Sequence, residues 1–314
     1  MKNKVWEKQP TSQPTARPNI ILFVVMLYYF VVARNMVQPY VLTPIYEFVG
    51  VSPLSGWSQI FNRFFRDLGI PVLVYLLYAC FTKQKIDASF SIARLSWTNV
   101  VNITVMTLTI RVVFDLIEKG VPFLLNDGHV PMQVFHFMDI GQSLIFNAVL
   151  ATIFEEAVFR GFLWGEYYRQ NVKYWKIALV TGLFFGISHL GAFTMFHTTV
   201  SGIFFYAPLI YFTRSIWAPM LHHALMNGLY TVINPTFYMD NQLAFDAFMP
   251  TYLTILLIAT IVLLPIAVIC GKKFYYENKH RLLPEENLPT ETKSFKITYW
   301  ILIATMVATF IRAF

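Results

Sequence analysis

Three charged side chains interrupt a long apolar stretch near the middle of the chain. Glu155, Glu156 and Arg160 lie between about Ile140 and Trp164, where most of the other side chains are apolar. A charged side chain at the centre of a bilayer costs about 2.5–3.5 kcal/mol on insertion scales, so such residues usually face a protein interior and have a function. This cluster of charges therefore predicts a functional site inside a membrane-embedded helix.

Helical spacing separates the roles of the two glutamates. Glu156 and Arg160 are i,i+4 neighbours with the acid first, which is the order that favours an ion pair on one helix face. Glu155 is rotated by about 100° from Glu156 and is poorly placed to reach the arginine. We therefore expect Arg160 to neutralise Glu156 and to leave Glu155 available for chemistry.

Composition places the chain among membrane proteins. Of its 314 residues, 56% are hydrophobic and 13% are charged, whereas soluble domains are about 25% charged. Apolar segments of about 20 residues predict an all-α, polytopic integral membrane protein with about eight to nine transmembrane helices. The net charge of +7 comes mostly from short loops beside these segments, which is a pattern of membrane orientation. We expect no nucleic-acid partner.

The same pattern divides the chain into four parts. We expect a cytosolic tail at 1–18, N-terminal transmembrane helices at 19–138, a core at 139–235 and C-terminal transmembrane helices at 236–314, with a cytosolic loop at 272–296. Lys and Arg cluster on alternate loops, which predicts a cytoplasmic N-terminus.

Polar residues also interrupt the apolar helices that follow the glutamates. His189 closes the segment Phe185–His189, and His223 and Asn227 lie on one face of a later helix. Residue counts from the predicted turns place Glu155 and His189 at similar depth, with the other two within about one to two helical turns of that level. A carboxylate, two imidazoles and an amide in one cavity can activate water, stabilise an oxyanion and protonate a leaving amine.

These residues form three ordered motifs, which are Glu155-Glu156-x-x-x-Arg160, Phe185-x-x-x-His189 and His223-x-x-x-Asn227. Together they resemble the motifs of the CAAX-protease and bacteriocin-processing (Abi) intramembrane endopeptidases. The resemblance covers roughly Phe146 to Tyr230. Within that family, the eukaryotic type removes the last three residues of prenylated CAAX proteins, and many bacterial members are associated with peptide maturation, bacteriocin self-immunity or surface-protein processing.

The resemblance implies a role for each motif residue. Glu155, with His189, would activate the attacking water. His223 and Asn227 would line the oxyanion site, and the acid–arginine pair would support the geometry. Glu155, His189 and His223 would also supply three zinc ligands if a metal were bound, but we favour a site without a cofactor, because the hydrolysis can be drawn with Glu155 as a metal-free base.

We therefore expect an intramembrane endopeptidase of a bacterial plasma membrane, surrounded by membrane lipid, which cuts peptide or membrane-anchored protein substrates with a glutamate-activated water. Its oligomeric state stays open. One alternative is a proton-coupled transporter in which the glutamates and His189 relay protons, although we find no inverted repeat to support it. The other is a non-catalytic bacteriocin-immunity or scaffold protein.

Other polar residues in apolar segments have simpler interpretations. Arg111 and Asp115 are i,i+4 neighbours and favour a structural ion pair. His222 is rotated away from His223 and is interpreted as structural or as a support for the site. Three further histidines are expected near the outer surface, without a catalytic role: His129, His136 and His197.

Overall fold

The computed structural model describes residues 14–28, 36, 39–50, 58, 80, 93–132, 140–189, 192–239, 241–281 and 290–312. The regular elements within these ranges are helices, which confirms the predicted all-α fold. His136 and much of the expected N-terminal transmembrane region at 19–138 lie outside the described residues.

The main described helices, in chain order, are α1 (Arg17–Leu27), α2 (Thr43–Val49), α3 (Trp97–Leu125), α4 (Ile140–Arg169), α5 (Tyr174–Ile187), α6 (Phe193–Thr213), α7 (Trp217–Ile233), α8 (Gln242–Arg281) and α9 (Lys293–Ile311). Five of them, α3, α4, α6, α8 and α9, are long and apolar enough to cross a membrane, and α1 and α5 are shorter apolar helices. The chain is therefore an integral membrane protein, as its composition predicts.

Local side-chain bonds explain where several helices begin. The Ser96 hydroxyl accepts a hydrogen bond from the backbone N–H of Asn99 (3.0 Å) at the start of α3. The Asn241 side chain caps α8 in the same way (2.9 Å), and Thr292 caps α9 (3.2 Å). Each cap satisfies a backbone donor that the first turn of a helix leaves unpaired.

Helix α4 changes its winding on both sides of the glutamate pair. Two π-helical stretches, Leu144–Ala151 and Ala157–Leu163, flank the α-helical segment Thr152–Glu156. Such wider turns are rare and occur frequently at functional sites. The two glutamates therefore lie on a short α-helical segment between two irregular ones.

Helix α7 is held between α3 and the first half of α4, and α8 packs along α3. The largest buried cluster joins α4 and α5 to α6 and to the terminal helices α1 and α9. Fully buried aromatic side chains, among them Trp164, Phe184 and Tyr299, lie within it. This packing fixes α4, α5, α6 and α7 around one shared interior.

Helices α5 and α6 approach each other closely through glycines. A Cβ atom added at Gly202 would lie 2.8 Å from the Cα of Gly182, and one added at Gly182 would lie 2.5 Å from the Ile203 side chain. Small residues allow membrane helices to approach at backbone distance. Because a Cβ at Gly202 would also lie 3.5 Å from Arg160 Nη2, this close contact borders the charged residues of α4.

Candidate active site

Glu155 lies between two histidines that come from different helices. Its Oε2 atom is 3.8 Å from His189 Nε2 and 3.8 Å from His223 Nε2. The Glu155 side chain is 15% exposed. The structure thus brings together three of the four side chains that the sequence predicts to be catalytic, and the similar depth expected for Glu155 and His189 is observed.

His189 follows the C-terminus of α5 and is oriented by the backbone of that helix. Its Nδ1 atom lies 2.7 Å from the carbonyl oxygen of Phe185. A carbonyl can only accept, so Nδ1 carries the proton and Nε2 of the neutral ring is the acceptor nitrogen that faces Glu155. The Phe185 ring also packs edge-on against the His189 ring at 4.8 Å. Phe185 therefore fixes both the tautomer and the tilt of His189.

His223 on α7 is oriented in the same sense by a carboxylate. Its Nδ1 atom donates to Glu156 Oε1 at 2.9 Å, and its side chain is 4% exposed. Since Nδ1 is the donor, Nε2 of the neutral ring is again the acceptor nitrogen on the Glu155 side. Glu156 is therefore more than the neutralised partner of Arg160 that helical spacing predicts, because it also holds a histidine at the site.

Glu156 and Arg160 form a fully buried ion pair. Arg160 Nη1 donates to Glu156 Oε1 at 3.1 Å, and both side chains are 0% exposed. The guanidinium contacts two aromatic rings, with its central carbon 4.4 Å from the centre of Phe185 and 4.4 Å from the centre of Tyr206. Aromatic faces attract a cation, most strongly where water is excluded. The pair is therefore stabilised both by its own contact and by its surroundings.

Tyr206 belongs to the site although the sequence does not single it out. It ends the π-helical turn Gly202–Tyr206 of α6, and its ring packs edge-on against His223 at 5.3 Å and against Phe185 at 5.4 Å. A tyrosine in an apolar helix normally indicates core packing. No spacing relative to the three motifs distinguishes this one from the neighbouring aromatic residues.

Asn227 contacts α4 one helical turn beyond His223. Its Nδ2 atom donates to the backbone oxygen of Asn147 at 2.8 Å, within the first π-helical stretch of α4. Asn147 in turn donates to Ser143 (2.9 Å), and Ser143 lies 3.1 Å from Thr231 of α7. These polar contacts join α7 to α4. The oxyanion role of Asn227 stays a prediction.

The buried ion pair expected on α3 is present. Arg111 contacts Asp115, and Glu118 lies 3.4 Å from the same guanidinium. Arg111 also lies over the Tyr230 ring of α7, 5.1 Å from its centre. The cluster thus joins α3 to α7 two helical turns beyond His223.

The two described histidines that were expected at the outer surface differ from each other. His129 is 53% exposed and lies 3.0 Å from Asp246, in agreement with the expectation. His197 is more enclosed, because its ring packs edge-on against Phe114 at 4.2 Å and its Nε2 atom is buried; its position near the outer surface stays a prediction. Aromatic packing between α3 and α6 explains the difference.

The arrangement of the acidic and histidine side chains also bears on whether the site could hold a metal ion. Among the residues for which the structure gives positions, no group of three or more His, Cys, Asp and Glu side chains is arranged to hold a metal ion. The assignment of Glu155, His189 and His223 as zinc ligands, made above for the case that a metal is bound, stays a prediction.

A protein-family model supports the interpretation of the motifs. Residues 140–229 match the family described as type II CAAX prenyl endopeptidase Rce1-like. The matched segment begins with α4, ends within α7 and contains all seven residues of the three motifs. No curated protein and no solved structure matches the chain. The match confirms the resemblance drawn from the motifs: residues 140–229 of this membrane protein are similar to the Rce1-like family of type II CAAX prenyl endopeptidases.

Proposed function

We propose that the chain hydrolyses peptide bonds within the membrane and that Glu155 activates the attacking water. One observation carries this proposal: Glu155 Oε2 lies 3.8 Å from the acceptor nitrogens of both His189 and His223. That distance is too long for a direct hydrogen bond. A water molecule has two protons, so it can donate to Glu155 Oε2 and to one of the two histidine nitrogens at the same time.

The reaction follows from these positions. Glu155 takes a proton from water while His189 Nε2 accepts a hydrogen bond from the second water proton and orients it. The hydroxide adds to the carbonyl carbon of the substrate and the carbonyl oxygen becomes an oxyanion. Glu155 then returns the proton to the amide nitrogen as the C–N bond breaks, so the products are a carboxylic acid and an amine.

His223 has a more specific requirement in this scheme. Its Nδ1 proton is already given to Glu156 at 2.9 Å, so a hydrogen bond from Nε2 to an oxyanion requires a proton on both ring nitrogens. Asn227 needs no such change to donate, because an amide has two N–H protons and the bond to Asn147 uses one of them.

The substrates that suit this site are apolar or membrane-bound. Two of the helices that surround it, α4 and α6, are apolar enough to span a bilayer, and α5 is a shorter apolar helix, so a soluble polar chain would lose its hydration on entry. We therefore propose peptides or membrane-anchored proteins as substrates.

A comparative peptidome tests the proposal. Cells express the native protein, Glu155→Gln or Glu47→Gln at matched levels, and peptides and protein termini are catalogued from membranes and medium. Glu47 is an exposed residue of α2, so it controls for the same chemical change outside the site. We expect a product that is present with the native protein and with Glu47→Gln but absent with Glu155→Gln. Profiles that coincide for the native protein and Glu155→Gln, under conditions where expression alters the cells, would refute the proposal.

A further inference from the structure

Helix α3 contacts the catalytic helix α7 through a buried hydrogen bond. His222 Nδ1 lies 2.7 Å from the Thr107 hydroxyl, and that hydroxyl donates to the carbonyl oxygen of Ile103 at 2.6 Å. A hydroxyl has one proton, so Thr107 is the acceptor and His222 Nδ1 is the donor. Thr107 is 0% exposed and His222 is 1% exposed. Both the direction of this bond and the tautomer of His222 are therefore defined.

The bond controls the rotation of α7 about its own axis. His222 immediately precedes His223 on that helix, and the two side chains point in directions about 100° apart. At a radius of about 5–6 Å, a rotation of the helix by about 20° moves a side-chain tip by about 2 Å. The distance from His223 to Glu155 would change by a comparable amount, because α3 contacts α7 through His222 and α4 contacts it through His223.

Tyr206 connects the same pair of histidines by packing. Its ring lies edge-on to His222 at 4.8 Å and to His223 at 5.3 Å, and it also lies against the Arg160 guanidinium at 4.4 Å. A displaced His222 would therefore also release the ring that supports His223 and Arg160.

We infer that Thr107 and His222 are positioning residues, which hold His223 so that its Nε2 faces Glu155. This inference rests on the proposed function for its catalytic meaning, and it extends the catalytic unit to a helix outside the segment 140–229 that matches the family model. Neither residue is assigned a contact with substrate.

Two substitutions at Thr107 distinguish the effect of losing the hydroxyl acceptor from the effect of changing the side-chain volume. Thr107→Val keeps the shape and removes the acceptor, whereas Thr107→Ser keeps the acceptor. The protein is labelled with ¹⁵N at histidine, placed in lipid nanodiscs and measured by NMR, and His222→Asn and His223→Asn identify the signals. We expect Thr107→Val to shift the imidazole signals of both His222 and His223, and Thr107→Ser to restore the native signals.

The same variants are then assayed on the product-forming substrate found by the peptidome comparison. We expect Thr107→Val to lower kcat by about 10-fold with KM nearly unchanged, since a misplacement of about 1 Å can cost about 10²-fold in rate. The melting temperature should also fall, because the buried N–H of His222 loses its acceptor. Unchanged His223 signals in Thr107→Val would overturn the inference, whether or not a substrate is known. So would native kcat in Thr107→Val when Glu155→Gln is inactive. An active Glu155→Gln would instead refute the proposed function, and the NMR result would still decide whether Thr107 orients His223.

Discussion

Glu156 and His223 share a hydrogen bond of 2.9 Å that crosses from α4 to α7. The same oxygen of Glu156 also accepts from Arg160 at 3.1 Å. One carboxylate oxygen therefore neutralises a buried cation and orients a histidine. The two adjacent glutamates have different tasks: Glu155 faces the histidine nitrogens, and Glu156 holds the structure around them.

Replacement of Glu156 by glutamine should damage both stability and activity. The substitution removes the charge that compensates the fully buried Arg160, and breaking a buried pair costs about 3–5 kcal/mol. We expect a lower melting temperature and a lower kcat, measured by thermal unfolding in detergent and by product formation. An unfolding midpoint equal to that of the native protein would show that the pair does not stabilise the fold.

Replacement of Glu155 by glutamine should abolish most of the activity and leave the stability of the fold nearly unchanged. Glu155 is not part of the Arg160 pair, so we expect the melting temperature to stay within the range of a conservative substitution. Loss of a general base lowers the rate by about 10²–10⁴-fold. Product formation and thermal unfolding, measured on one preparation, provide the comparison. A drop in melting temperature as large as that of Glu156→Gln would contradict the assignment of separate tasks.

Substitution of Gly202 by alanine should destabilise the contact between α5 and α6. The added Cβ would lie 2.8 Å from the Cα of Gly182, so the helices must separate, and overpacking of this kind costs about 1–3 kcal/mol. Gly120→Ala is the matched control, because its Cβ would meet Leu253 at an ordinary 3.8 Å and alanine favours a helix. The melting temperature of Gly202→Ala should be lower than that of the native protein, and the melting temperature of Gly120→Ala should equal or exceed the native value. Equal midpoints for the two variants would count against the close approach.

For both stability and the rate of cleavage, the aromatic ring of Tyr206 should contribute more than its hydroxyl group. Tyr206→Phe keeps the aromatic face at 4.4 Å from Arg160 and should retain nearly native cleavage. Tyr206→Leu removes that face and should cost about 0.5–2 kcal/mol of stability, with a lower rate of cleavage. If the phenylalanine variant lost as much activity as the leucine variant, the hydroxyl would have to be assigned a role of its own.

Treatment with a chelator of divalent metals should leave the cleavage rate unchanged. The described side chains at the site do not form a group arranged for metal binding, and Glu155 can act as the base without one. The purified protein is dialysed against the chelator and assayed with and without added zinc. Loss of activity that returns with zinc would show that Glu155, His189 and His223 rearrange around a metal.

Local spacing was enough to predict part of the site. The pair of Glu156 with Arg160 follows from one turn of helix, and the approach of Glu155 to His189 follows from counting equal lengths back from a shared turn. Both relations depend on one helix or on two consecutive ones. The apolar stretch between about Ile140 and Trp164 lies within the single helix α4 for the same reason, since its pattern depends on one segment of the chain.

Relations that depend on the rotation of one helix against another could not be predicted. The bond from His223 to Glu156 requires the orientation of α7, which the packing of α3 and α4 decides. The π-helical stretches of α4 shift its side chains in a way that an ideal helix does not show. Helix α8 (Gln242–Arg281) extends into the loop expected at 272–296, because hydropathy marks only the part of a helix that matches the bilayer.

The buried pair on α4 also bears on how the protein is made. During synthesis α4 enters the membrane before α5 and α6 exist, so the rings of Phe185 and Tyr206 cannot yet cover the guanidinium of Arg160. Because Glu156 lies on the same helix, one turn away, the nascent segment carries its own counter-charge from the moment it leaves the translocon. An arginine whose partner lay on a later helix would enter the membrane without a counter-charge, and its insertion would cost about 2.5–3.5 kcal/mol.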